Sequence, residues 1–298
     1  MDNASILERS ATATALSCGL KRAVTGAVAG AWIATMALPA TADATEKFSR
    51  HTAGATKVID HSAWDKLLKT YVVADRAGLN RVRYQAFKAK GHGALKRYVK
   101  MLEGVRPTTL ARPEQFAYWA NLYNAKTIDV VLDAYPVKSI REISINGGLF
   151  DLLKKSVGKG GPWKAKIMQV EGEKLSLDDI EHGIMRPVFK DPRVHYAVNC
   201  ASVGCPNLQT AAFTGAKLDK MLDAGAKAYI NSSRGFQAKS GRITASSIYD
   251  WFVADFGGSA RGALKHAAKY AKPALAKKLA KAIAIADYEY DWSLNDAN

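Results

Sequence analysis

Cysteine is scarce in the 298-residue sequence, which has only three, so a disulfide-dense scaffold is excluded. Long apolar runs are also missing, because no stretch beyond the first 44 residues is long and apolar enough to span a bilayer. Acidic residues are few, since 27 Asp and Glu face 43 Lys and Arg and leave a net charge of +16. The remaining composition, 48% hydrophobic and 23% charged, is typical of a folded globular protein and excludes a disordered chain.

Residues 1–44 have the pattern of a secretory signal peptide. Three basic residues precede an uncharged apolar core at residues 23–38, and small-residue sites of the A-x-A type follow, the last ending at Ala44. This core is shorter than the roughly 20 residues of a membrane span, so we expect cleavage rather than a retained anchor. Export predicts a periplasmic or secreted protein, and it leaves Cys200 and Cys205 as the cysteines of the mature chain.

Helical periodicity outweighs strand alternation in the mature chain. This balance predicts an α+β fold: a mostly helical single domain over residues 60–295 with a small antiparallel sheet, preceded by a flexible lead-in at residues 45–59. The strongest helix signal covers residues 113–134, which are apolar on most sides and therefore buried. An alternating strand is predicted over residues 193–199, and a turn follows at residues 200–206. Further helices are predicted near residues 61–72, 95–102, 176–185, 215–230 and 246–256.

Polar and reactive side chains concentrate in two places. Asn121 and Asn124 lie three residues apart on the predicted 113–134 helix and therefore share a face. Buried amides need partners, so this pair either satisfies the core or orients groups in a site. The second place is the segment 178–206. The candidate catalytic residues are His195, Cys200, Cys205, His182, Glu181 and Asn121, and the candidate binding residues are Arg193, Asn124, Asn199, Ser202 and Arg186.

Three interpretations compete for Cys200 and Cys205. A disulfide that closes the small turn fits export and is the prediction that we favour. A catalytic thiol would need activation by one of the two histidines of the segment, and an orienting third group such as Asn121 or Asn199. A zinc site would combine the two cysteines with the same two histidines. No metal and no cofactor is assigned.

Five stretches of the sequence carry a specific pattern: HSAWDKLLKTYV, FAYWANLYNAKT, LSLDDIEHGIMRP, DPRVHYAVNCASVGCPNL and the terminal YDWSLN. They closely resemble the domain of unknown function 547 family, from about residue 60 to residue 295. A helix followed by a His-bearing strand is also similar to papain-like and transglutaminase-like folds, which carry a nucleophilic Cys on the helix where this chain has Asn121. The family pattern matches at Asn121, Asn124, Glu181, His182, Arg193, His195, Asn199, Cys200, Ser202, Cys205 and Pro206.

Residues 261–281 carry seven Lys or Arg and no acidic residue, on a helical pattern broken at Pro273. This charge run predicts either a solvated helix pair or a surface for an anionic envelope polymer or membrane. No nucleic-acid motif is present, so nucleic acid is not expected as a partner. We interpret the protein as an exported envelope protein, either a thiol- or His-dependent hydrolase or acyl transferase, or a non-catalytic binding or structural protein with a disulfide and a buried polar network.

Overall fold

The computed structural model describes residues 40–75, 77–145 and 161–297, with side chains described from Ala44 onward. The apolar core of the predicted signal peptide lies outside the described residues. The helices are α1 (Ala40–Ser49), α2 (Ser62–Tyr71), α3 (Tyr84–Lys90), α4 (His92–Glu103), α5 (Arg112–Ala134), a π-helix (Asp179–Met185), α6 (Arg186–Phe189), α7 (Val194–Ala197), α8 (Leu218–Ile230), α9 (Ile248–Trp251), α10 (Ala260–Ala268) and α11 (Pro273–Lys281). The strands are β1 (Val72–Ala74), β2 (Asn80–Val82), β3 (Met168–Val170), β4 (Glu173–Leu175), β5 (Phe236–Lys239), β6 (Arg242–Ser246) and β7 (Asp287–Glu289).

Helix α5 lies at the centre of the core because its sequence is apolar on most sides. Pro113 stands in its first turn, where a backbone N–H has no helical partner, and the helix ends before Pro136. Every side chain from Phe116 to Ala125 is buried. Helix α4 packs along α5, and α2 packs on α4. The buried helix predicted at residues 113–134 is therefore confirmed.

The sheets are small, as the α+β prediction expects. Strands β1 and β2 form an antiparallel pair, and so do β3 and β4. The third sheet has the order β5-β6-β7, in which β5 pairs antiparallel to β6 and β7 adds in parallel, with Thr244 opposite Asp287. This sheet covers a second apolar cluster built from aromatic residues such as Tyr229, Tyr249 and Phe256.

Helix α1 covers residues 45–49 of the predicted lead-in at residues 45–59, and residues 50–59 contain no helix or strand. Its Phe48 is fully buried, and the ring meets Trp119 of α5 edge-on at 4.9 Å between centroids. The Gln115 amide donates hydrogen bonds to the backbone carbonyls of Phe48 and Arg50, at 3.1 and 2.8 Å. A single apolar residue in a polar stretch anchors this helix, and such an isolated residue gives no periodic pattern.

Helix α7 replaces the alternating strand predicted over residues 193–199. Asp191 explains the difference, because its carboxylate accepts a hydrogen bond from the Arg193 N–H at 2.8 Å and its carbonyl accepts one from the Val194 N–H at 3.0 Å. These bonds start a helical turn directly after Pro192. His195 therefore lies on a helical turn rather than a strand, which removes the premise of the similarity to papain-like and transglutaminase-like folds.

The C-terminal third is helical where its pattern predicts helices, although one helix is short. The helix predicted at residues 246–256 is shorter in the structure, where it is α9. Turns follow it, and in one of them the Asp255 N–H donates to the Phe252 carbonyl at 2.9 Å. Helices α10 and α11 form the predicted pair on either side of the break before Pro273. Of the helices in the described chain, none has the length and apolar character needed to cross a membrane.

Candidate active site

One cavity, which encloses about 170 Å³, gathers side chains that are far apart in the sequence. It collects lining residues from α5, the π-helix, α7, the cysteine-bearing turn, α9 and the segment after β7. The predicted site residues that line it are Glu181, His182, His195, Cys200 and Cys205. The predicted residues that do not line it are Asn121, Asn124, Asn199, Arg193, Arg186 and Ser202.

The π-helix brings Glu181 and His182 to the cavity. It begins at a reciprocal cap, in which the Ser176 N–H donates to the Asp179 carboxylate at 2.7 Å and the Asp179 N–H donates to the Ser176 hydroxyl at 3.1 Å. Ser176 and Asp179 have the three-residue spacing of a capping box, with Asp in place of the usual Glu or Gln. The Tyr123 hydroxyl of α5 donates to Glu181 Oε2 at 3.0 Å and holds that carboxylate at the cavity wall. Wide π-helical turns are frequent at functional sites.

His195 is held between two carboxylates. Its Nε2 lies 2.7 Å from Asp255 Oδ2, and its Nδ1 lies 3.8 Å from Glu181 Oε1. The imidazole ring stacks on Phe252 at 4.3 Å, and its side chain is only 2% exposed. Among the described residues, neither ring nitrogen of His195 is hydrogen-bonded to the backbone. His195 is therefore not a core histidine whose hydrogen bonds are all made with the backbone.

Asp255 sets the tautomer of His195. Burial alone would raise the pKa of Asp255, but hydrogen bonds from His195 and from the Arg186 guanidinium, at 2.7 and 2.6 Å, hold that pKa well below its usual range. An anionic carboxylate can only accept a hydrogen bond, so the His195 nitrogen beside Asp255 must be the donor. In the neutral imidazole the hydrogen is therefore on Nε2. The lone pair is then on Nδ1, the nitrogen that faces Glu181. Arg186 therefore positions Asp255 instead of lining the cavity.

The two thiols form a compact cluster with two hydroxyls. Cys200 Sγ lies 2.8 Å from Cys205 Sγ, 3.0 Å from the Tyr290 hydroxyl and 3.3 Å from the Ser202 hydroxyl. Both cysteines are free thiols here, so the predicted Cys200–Cys205 disulfide is not formed in this structure. A disulfide under oxidising conditions stays a prediction.

The cluster makes the two thiols unequal. The contact with Cys205, assisted by the Ser202 and Tyr290 hydroxyls, lowers the pKa of Cys200 against the effect of its burial. Burial raises the pKa of Cys205 well above its usual value. Cys200 is therefore the thiol that ionises first, and a thiolate is the reactive form of cysteine.

Asparagine side chains hold the cysteine-bearing turn in place. The Asn124 amide donates to the Ala197 carbonyl and accepts from the Asn199 N–H, both at 2.8 Å. The Asn199 amide in turn donates to the Pro206 carbonyl at 2.7 Å, across the base of the turn. These bonds fix the backbone from α7 to the turn. Asn124 and Asn199 therefore position the backbone of the site and do not line the cavity.

Asn121 has a structural role, contrary to its place among the predicted catalytic residues. Its amide donates to the Phe213 carbonyl at 2.8 Å and accepts from the Phe213 N–H at 3.0 Å. Both functions of the amide are used by one backbone residue that does not line the cavity. The orienting group that a catalytic thiol and histidine need is thus Asp255, and neither Asn121 nor Asn199 fills that role.

Arg193 is occupied outside the cavity. Its guanidinium bonds the carboxylates of Asp191, Asp219 and Asp223 at 2.6, 2.8 and 2.8 Å. These three acidic residues satisfy the charge and keep the side chain on the outer side of α7 and α8. The predicted binding role of Arg193 has no geometric basis in this arrangement.

The backbone of the cysteine-bearing turn packs closely against the segment that follows β7. The Gly204 N–H donates to the Asp291 carbonyl at 2.8 Å, and a Cβ on Gly204 would lie 2.8 Å from the Asp291 nitrogen. Only glycine fits that contact. The approach places Tyr290 against Cys200 and Trp292 at the cavity wall.

Several functional residues were not found from the sequence. Asp255, Tyr123 and Tyr290 are the clearest cases, because each bonds a predicted site residue. Asp255 lies 60 positions from His195 and Tyr290 lies 90 positions from Cys200, so local spacing gives no signal for either pair. The YDWSLN stretch that resembles the family does contain Tyr290, and it is the one pattern that could have indicated it.

The grouping of metal-ligand types found in the described part of the chain lies away from this cavity. It consists of His92, Asp129 and Asp133. Lys126 and Lys96 already pair with the Asp129 carboxylate at 2.9 and 3.2 Å, so positive charge occupies the place that a cation would need. The alternative zinc site, made of the two cysteines and two histidines, does not form such a grouping among the described residues.

The fold and the cavity define a mostly helical α+β protein with a thiol- and histidine-lined site. Residues 107–230 match the family described as "Protein of unknown function, DUF547". The resemblance is confirmed over this segment, which contains α5, the π-helix, α7 and the cysteine-bearing turn. Neither the search of curated proteins nor the search of solved structures found a match.

Proposed function

We propose that the cavity is the active site of a hydrolase or acyl transferase, with Cys200 as the nucleophile and His195 as the general acid and base. One observation carries this proposal: a thiol with a lowered pKa and an imidazole oriented by a carboxylate line the same cavity. A nucleophile, a base and a group that orients the base are the parts that thiol-dependent acyl transfer needs.

The proposed reaction uses these two groups, which line the same cavity. His195 Nδ1 takes the Cys200 proton, and the thiolate attacks the acyl carbon of a substrate, so that a C–S bond forms. The imidazolium returns the proton to the leaving group as the acyl–leaving-group bond breaks, which leaves a thioester on Cys200. Water or a second acceptor then attacks the thioester with His195 again as base, and the thiol is restored. Asp255 stabilises the imidazolium throughout.

An envelope location is the second part of the proposal, and it rests on the signal-peptide pattern of residues 1–44. The basic surface formed by α10, α11 and the residues between them supports it. All seven Lys and Arg side chains there are exposed, and none pairs with a carboxylate in the described part of the chain. Such a surface is complementary to an anionic envelope polymer or a membrane with acidic lipids.

Hydrolysis of an activated ester such as p-nitrophenyl acetate by the purified full chain tests the proposal. We expect that Cys200→Ser and His195→Asn abolish the turnover while both variants keep the circular dichroism of the wild type. Cys18→Ser and His51→Asn are the matched controls, because Cys18 belongs to the predicted signal peptide and His51 is exposed on the surface. Those controls should react at the wild-type rate.

Full turnover in folded Cys200→Ser would contradict the thiol mechanism. No turnover by the wild type would favour the alternative of a non-catalytic envelope protein whose cysteines form a disulfide and whose polar groups form a stabilising network.

A further inference from the structure

The cavity wall has an unusual composition for a protein with a net charge of +16. Six aromatic rings line it, together with two acidic residues that reach it from the π-helix and the turn before it. Among the described residues that line the cavity, none is lysine or arginine. The aromatic residues are Tyr123, Trp163, Trp251, Phe252, Tyr290 and Trp292.

Three of these rings stand together on one wall. Tyr290 and Trp292 have centroids 4.6 Å apart, and Trp251 lies 4.9 Å from Tyr290. Trp251 is also stacked on Trp292 at 5.7 Å, and it is 46% exposed. A large indole that is half exposed beside a cavity is a surface that a ligand can cover.

Two rings of the cavity lining already accept positive charge on a face. The Arg141 guanidinium lies over the Trp292 ring at 5.1 Å, and the Arg186 guanidinium lies over the Phe252 ring at 4.9 Å. Each contact comes from outside the lining, so the cavity itself receives no arginine. Ring faces carry negative electrostatic potential, and a cation within about 6 Å of a ring centroid is attracted to it.

Carboxylates add to this field. Asp178 and Glu181 both line the cavity, and the Tyr123 hydroxyl holds Glu181 there. Burial raises the pKa of Asp178. The neighbouring titratable groups are the two histidines of the lining, His182 and His195, with Lys164 acting on Asp178 and Arg186 bonded to His182 from outside the lining. His182 lies 3.9 Å from each of the two carboxylates, which is too far for a hydrogen bond. The two carboxylates would repel an anionic ligand, because the described lining contains no lysine or arginine to balance their negative charge.

We infer that the cavity takes an organic cation, an amine or quaternary ammonium on a small apolar body, and that this cation is part of the substrate. This inference rests on the proposed function in one respect, because the cation is a substrate only if the cavity is an active site. Aromatic faces and carboxylates recognise such a head group together, and a cavity of about 170 Å³ admits a head group of this kind. The net charge of +16 opposes non-specific accumulation of cations around the protein, so a measured preference for a cation points to a local site.

Two probes of nearly equal shape test this inference on the full chain. Choline carries the charge, and 3,3-dimethylbutan-1-ol is its neutral isostere. We expect an NMR titration at constant ionic strength to show that choline binds about threefold to thirtyfold more tightly than the alcohol. Trp251→Leu and Glu181→Gln should each reduce this preference, whereas Asp250→Asn, which changes an exposed carboxylate outside the lining, should not.

Equal or tighter binding of the neutral alcohol would overturn the inference, and so would the absence of choline binding to the wild type. A preference for choline that survives intact in both Trp251→Leu and Glu181→Gln would also overturn it, because the cation would then bind elsewhere. Cys200→Ser should bind choline as the wild type does. If that variant also keeps ester turnover, the proposed function fails while the cation preference stands, so the two failures are distinguishable.

Discussion

The Tyr290 hydroxyl is one of the groups that lower the pKa of Cys200, after Cys205 and Ser202. Tyr290→Phe removes the group 3.0 Å from Cys200 Sγ and leaves the ring in place. A hydrogen bond to a charged group contributes about 1.5–3 kcal/mol, and one pKa unit corresponds to about 1.4 kcal/mol. Since the Ser202 hydroxyl also bonds Cys200 and partly compensates, we expect the substitution to raise the pKa of Cys200 by about one unit.

Alkylation by iodoacetamide as a function of pH measures this shift. Only the thiolate reacts, so a higher pKa moves the whole profile to higher pH and slows the reaction about tenfold on its rising limb. A Cys18→Ser background leaves two thiols, and mass spectrometry of the peptides separates Cys200 from Cys205. Tyr288→Phe is the matched control, because Tyr288 lies on β7 and has no bond to either thiol.

Two results would refute this reasoning. One is a Tyr290→Phe profile that coincides with that of the wild type, which would mean that the hydroxyl does not stabilise the thiolate. The other is alkylation of Cys205 at a lower pH than Cys200, which would reverse the order in which the two thiols ionise.

Three further predictions concern other parts of the molecule. Asp255→Asn should lower ester turnover about 10³–10⁴-fold by releasing the His195 tautomer, with Asp250→Asn unchanged; equal rates in both would remove Asp255 from the mechanism. Burial lowers the pKa of His266 to about 4, so the unfolded chain binds its proton first and stability should fall by about 3 kcal/mol between pH 6.5 and pH 4. Urea unfolding measures this fall, which His266→Gln should lack; an unchanged slope would contradict it. The basic surface should bind anionic vesicles at low salt and lose them at a few hundred millimolar, and a variant with four Lys→Gln changes should bind less; equal binding would make it a solvated face. The four positions are Lys265, Lys269, Lys277 and Lys281.

Local patterns were sufficient for much of the fold. The apolar character of α5 and the spacing of Ser176 and Asp179 both act within a few residues, so both could be predicted from the sequence. Packing over long distances decided the rest. Phe48 is held by α5, and residues 193–199 alternate like a strand, yet Asp191 starts a helical turn there.

The candidate site was predicted in part for the same reason. His195, Cys200 and Cys205 share one segment of the sequence, and the structure brings them to one cavity. Asp255 and Tyr290 come from elements that fold back from the C-terminal part of the chain, and only the packing of these elements reveals them. The residue type did not show whether a buried asparagine positions the backbone or takes part in the chemistry, because a buried amide needs hydrogen-bond partners in either role.

The position of a trapped acyl group tests the central claim most directly. The full chain is mixed with p-nitrophenyl acetate, quenched in acid within the first turnover, digested and mapped by mass spectrometry. The proposed mechanism predicts an acetyl thioester on Cys200 that is lost in Cys200→Ser and forms far more slowly in His195→Asn. An acetyl group on Cys205 or on a surface lysine, with Cys200 unmodified, would contradict it.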